Sequence, residues 1–107
     1  MYAVIFEVEV KPERKAEYLQ IASELRNELN TIDGFISIER FQSLVNEEKL
    51  VSLSFWESEE AISAWRSNRN HKIAQQKGRF ELFSDYRLRV AQIVRDYGPK
   101  NREQAPK

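Results

Sequence analysis

No cysteine occurs among the 107 residues of this chain, which excludes disulfides, thiolate nucleophiles, thiolate zinc sites and iron–sulfur clusters. Histidine is nearly absent: the single copy, His71, cannot build a multi-histidine metal site within one subunit. No apolar run approaches the roughly 18 residues that read as a membrane span. The start, Met1-Tyr2-Ala3-Val4-Ile5-Phe6, lacks the basic residues and cleavage site of a secretory signal, and Glu7 and Glu9 interrupt it. A cytoplasmic protein is expected. Net charge is missing as well: 17 basic and 17 acidic side chains cancel, so no global field draws in nucleic acid or an anionic membrane.

What remains is a chain sized for one modest core, expected as a single domain over residues 1–97 with a polar tail over 98–107. Residues 2–10 alternate, with Val4, Phe6, Val8 and Val10 on one face and Ala3, Ile5, Glu7 and Glu9 on the other; this is a strand. Pro12 sets the first turn of a helix whose Tyr18, Leu19, Ala22, Leu25, Leu29 and Ile32 form an apolar stripe. Asp33-Gly34 ends it, with Gly34 suited to a left-handed cap.

Two strands, over 35–41 and 50–56, follow as a hairpin around the polar turn Asn46-Glu47-Glu48. Ser58 caps a second helix, with Glu59 and Glu60 in its first turn and Ala61, Ile62 and Trp65 on one side. Ser67-Asn68-Arg69-Asn70 predicts a break, and a short helix carrying His71 then runs to Gly78. A fourth strand is expected from Tyr86 to Tyr97, with Leu88, Val90 and Val94 opposed to Ala91 and Ile93.

The order β-α-β-β-α-β predicts an α+β, ferredoxin-like fold: a four-stranded antiparallel sheet with both helices on one face. Apolar side chains then stay on the uncovered face, which a monomer rarely exposes, so a homodimer pairing two sheets back to back is expected.

The element order, the Gly34-Phe35 turn, and the run Phe55-Trp56-Glu57-Ser58-Glu59-Glu60-Ala61 leading to Trp65 and His71 together resemble the antibiotic biosynthesis monooxygenase family, over about residues 2–96. The resemblance implies a dimeric α/β barrel whose cleft lies between sheet and helices. It implies oxidation of small aromatic or quinol-like molecules by oxygen, with no cofactor: neither metal nor flavin. The same superfamily includes haem-degrading oxygenases, which use an Asn on strand 1, a Trp on the second helix and a His ligand. Trp65 matches that Trp, whereas the Asn position falls at or next to Glu7 and His71 comes several residues early.

His71 is the candidate general base, because an unperturbed imidazole titrates near neutrality; a polar helix residue bonded to backbone or water is the plainer alternative. Trp56 and Trp65 are candidate walls of an aromatic pocket, and equally candidate core. Phe6, Ile38 and Phe80 share that ambiguity. Arg79, Tyr86 and Arg87 are candidates to hold a substrate oxygen, against ordinary surface ion pairs. Glu7 and Glu9 are either carboxylate bases or ion-pair partners. Arg95-Asp96-Tyr97-Gly98-Pro99 with Arg102 reads as an arm on a partner subunit or as a frayed end.

Two functions compete. One is a cofactor-independent monooxygenase acting on an aromatic or quinol-like molecule, with His71 as base and Trp65, Trp56, Phe6, Arg79 and Tyr86 holding substrate. The other is a non-catalytic dimeric module, stress-related or otherwise, that sequesters a small apolar ligand; haem degradation stands third.

Overall fold

Alternation of apolar and polar side chains produces the first strand, β1 (Tyr2–Val10), which becomes the inner strand between β3 and β4. The computed structural model describes residues 1–76 and 83–106, with side chains given to residue 68 in the second helix. A single 3-10 turn at Pro12–Arg14 leads into α1 (Lys15–Leu29), then β2 (Phe35–Gln42), β3 (Lys49–Trp56), α2 (Glu59–Gln76) and β4 (Phe83–Gln92). The strands form one antiparallel sheet in the order β2-β3-β1-β4. This is the expected ferredoxin-like α+β architecture.

Both helices lie on the same side of the sheet. Val4, Val8, Leu50 and Trp56 point from the strands into a cluster with Tyr18, Ile21, Leu25 and Leu29 of α1 and Ala61 and Trp65 of α2. Trp56, Leu29, Val8 and Val10 are each less than 2% exposed, and burial of such a side chain contributes roughly 1.5–3 kcal/mol.

Local chemistry sets the joints. Gly34 has φ +90°, and its carbonyl accepts a 2.7 Å hydrogen bond from the Glu57 N–H. A Cβ there would lie 2.9 Å from the Cβ of Ala61, so glycine both turns the chain and lets the α1–β2 turn close on the start of α2. Ser58 caps α2, its Oγ accepting from the Ala61 N–H at 3.2 Å.

The first helix ends at Leu29, short of the expected Asp33-Gly34, and begins as a 3-10 turn at Pro12–Arg14. Two later elements differ more. The fourth strand is not 86–97 but Phe83–Gln92: Phe83 pairs with Val10 across a bulge and is buried, while Gln92 already faces Tyr2 at the end of β1. Beyond it β1 offers only the Met1 carbonyl, which accepts from the Ile93 N–H at 2.9 Å. The second helix has no break at 67–70 but runs on to Gln76. Ser and Asn lower helix propensity by only a few tenths of a kcal/mol each, roughly, and the packing of Ala61 and Trp65 anchors the helix ahead of them. The expected stop at Gly78 lies outside the described residues.

The tail turns back on itself. Gly98 N–H donates to the Asn101 carbonyl at 2.7 Å, Asp96 N–H donates to Gln104 Oε1 at 2.7 Å, and the Arg102 guanidinium stands 5.5 Å from the Tyr97 ring centre. Among the described residues no helix is long and apolar enough to cross a membrane.

Candidate functional site

Small side chains at the centre of the sheet leave space beneath the helices. Ser52 and Ser54 occupy β3 positions that face the core, and Ala22 faces them from α1. The register lays two rows across the floor: Ile38–Ser54–Val4–Val90 and Arg40–Ser52–Phe6–Leu88. Tyr18, Ile21 and Leu25 of α1 and Ile62, Trp65 and Arg66 of α2 form the roof. The cavity between them measures about 120 Å³, near the ~150 Å³ of an engineered apolar cavity that takes up benzene.

Its walls are aromatic. Phe83 packs edge-on against Phe6 at 5.9 Å and Tyr18 at 5.6 Å between ring centres, and Tyr86 stands 6.0 Å from Phe6 at the exposed mouth. Trp56 is edge-on to Phe35 at 5.2 Å, and its indole N–H donates to Ser54 Oγ at 2.8 Å. Its polar edge is thus satisfied while its ring faces the cavity. Flat rings on several sides suit a flat apolar molecule, and the hydroxyl and guanidinium donors suit oxygen substituents upon it.

Of the residues singled out from sequence, Phe6, Ile38, Trp56, Trp65 and Tyr86 all line this cavity. His71 lies on α2, with its side chain outside the described residues, as are Arg79 and Phe80. Arg87, Glu7 and Glu9 sit on the opposite face of the sheet, since Glu7 pairs with Val51 and Arg87 on the side away from the helices. The carboxylate-base reading of Glu7 and Glu9 is therefore corrected. Glu7 binds Arg89 at 2.6 Å and Lys49 at 3.7 Å, and Glu9 accepts from Asn46 Nδ2 at 3.1 Å. The Arg89 hydrogen bond, reinforced by Lys49, holds the Glu7 carboxyl below its ordinary range. The same register turns position 7 away from the cavity, while its neighbour Phe6 lines it.

Sequence reasoning passed over Arg40, Arg66, Ser52, Ser54 and Tyr18, all of which line the cavity. For Arg40 the signal was present: it follows Ile38 by two residues, the period that keeps a strand residue on the same face. A charged residue on an edge strand ordinarily reads as solvent-facing, which hid it.

The model for the family described as antibiotic biosynthesis monooxygenase matches residues 1–77. The chain belongs to this family. It is 46% identical over 94 residues, 88% of its length, to a protein of Pyricularia oryzae named jasmonate monooxygenase, of which it spans 44%. It is 32% identical over 94 residues, 88% of its length, to the Bacillus subtilis protein YqjZ, of which it spans 80%. A conserved protein from Methanosarcina mazei shares the fold with a TM-score of 0.74 at 24% identity, over 85% of this chain and 90% of that one. In this monooxygenase family setting, the cavity under the two helices is the candidate active site.

Proposed function

We propose that this chain is a small monooxygenase domain that takes one ring-containing apolar molecule into the cavity and oxidises it with molecular oxygen, using no metal or organic cofactor. The observation that carries the reading is the convergence of Phe6, Trp56, Trp65 and Tyr86 on one space in a member of a monooxygenase family. The Pyricularia relative's name adds support for a small cyclic substrate. For a quinol-like substrate the electrons come from the substrate: an activated ring methylene becomes a carbonyl, one atom of O2 enters the product and the other leaves as water. His71 is the proposed base that removes the proton from the phenol or activated carbon, leaving an electron-rich anion to meet oxygen. Arg79 is proposed to steady that anion.

Oxygen uptake with a panel of quinols and with jasmonate tests this. Turnover of at least one compound, lost in a folded His71→Ala variant, is expected; no turnover of any, or an equally active variant, would contradict it.

A second reading is a non-catalytic carrier, favoured by one observation: no carboxylate lines the cavity among the described residues. Native mass spectrometry distinguishes the two, since a carrier returns its ligand unchanged after aerobic incubation.

We further propose a homodimer. The helix-free face aligns Phe41 with Val51, Leu53 with Ile5, and Phe55 with Ala3 and Ala91. This apolar band, bordered by Glu7, Arg89 and Lys49, suits the same band of a second copy.

A further inference from the structure

Arg40 stands out within the cavity. Its Nε is fully buried and has no hydrogen-bond partner among the described residues. A guanidinium cannot shed its proton, and a buried polar donor left unpaired is unfavourable, so native chains keep such a group where something fills its valence. Arg40 lies at the end of the floor row Arg40–Ser52–Phe6–Leu88, so its charge borders the aromatic space. Arg66 adds a second cation from α2. Among the described lining residues these two cations face no Asp or Glu. A neutral apolar ligand would leave the buried Arg40 Nε unanswered, whereas Arg66 is exposed to solvent. A ligand carrying a carboxylate would answer Arg40, its ring body against Phe6 and Trp65 and its two oxygens on the planar donor fork of arginine.

We infer that the cavity selects small apolar molecules that bear a carboxylate, and that Arg40 is the residue that binds it, with Arg66 adding positive charge to the lining. This rests on the proposed function and narrows its substrate class to ring-containing carboxylic acids. Arg40 is here a specificity residue: it places the ligand, and no proton transfer is asked of it.

The test is calorimetric titration of the full chain with 1-naphthaleneacetate and, separately, with its methyl ester. The acid is expected to bind at least about tenfold more tightly than the ester, the scale of one charge-assisted hydrogen bond. Arg40→Met should remove that preference by weakening the acid alone, with the ester unchanged within about twofold, and Arg40→Lys should restore part of it. Unchanged ester binding also certifies that each variant retains its cavity. Equal binding of acid and ester by the unaltered chain would overturn the carboxylate assignment while leaving the cavity as a binding site. A preference that survives Arg40→Met would overturn the role given to Arg40. Binding of neither compound would overturn the cavity reading itself, and the anchor with it.

Discussion

The indole N–H of Trp56 donates to the hydroxyl of Ser54, two residues back on the same strand face, at 2.8 Å. Both side chains are buried, with Trp56 only 1% exposed, so the bond answers a donor that no water reaches. Ser54→Ala should lower stability by about 1–3 kcal/mol, the scale for orphaning a buried donor. In urea unfolding the midpoint should fall with the slope unchanged; an unaltered midpoint would show that the hydroxyl is dispensable to Trp56.

Gly34 should tolerate no side chain. With φ +90° and only 2.9 Å from a built Cβ to Ala61 Cβ, an alanine there meets both backbone strain and a packed neighbour. Gly34→Ala should destabilise by roughly 1–3 kcal/mol, read as a drop in thermal midpoint. The companion Gly98→Ala, with nothing within 4 Å of its built Cβ, should leave the midpoint in place.

Glu7 supplies a pH dependence. Its carboxyl is held below the ordinary value of 4.5, first by the hydrogen bond from Arg89 and then by the charge of Lys49. The unfolded chain therefore binds this proton more readily than the folded one. The contribution is in full above the unfolded value and fades as pH falls through the folded one. Arg89→Gln should move the Glu7 titration, followed by carboxyl NMR, up towards 4.5 and flatten the acid-side loss of stability. A titration unmoved by the substitution would assign the depression elsewhere.

Leu53 and Ile5 are cross-strand partners on the helix-free face. If two copies pair there, Leu53→Glu should halve the mass seen by light scattering on a sizing column while the circular dichroism spectrum stays that of the parent. A monomeric parent chain, or a variant that remains a dimer, would refute back-to-back pairing.

Much of this was legible in the residues. The alternation of Val4, Phe6 and Val8 against Ile5 and Glu7 identified the first strand; Gly34 and Ser58 identified the joints, because each does a local job that few residue types can do. The run from Trp56 to Trp65 located the cavity. The strand ends were not legible, because β4 stops where β1 runs out of partners, a fact of pairing and not of its own sequence. Arg40 was missed for a related reason: whether a polar residue on an edge strand faces water or a cavity depends on the helix laid over it. The serines at 52 and 54 read as strand polarity, when their effect is the room that they leave.

The space above Ser52 is the proposed seat of oxygen chemistry on a small ring-containing molecule. The most direct test is turnover under 18O2 of whichever compound the uptake panel identifies, with the parent chain and with Ser52→Leu, which fills the floor beside Phe6. The parent should release product carrying one 18O atom, with the other appearing as water, and the leucine variant should stay folded yet form none. Product free of 18O, or full turnover by folded Ser52→Leu, would contradict the account.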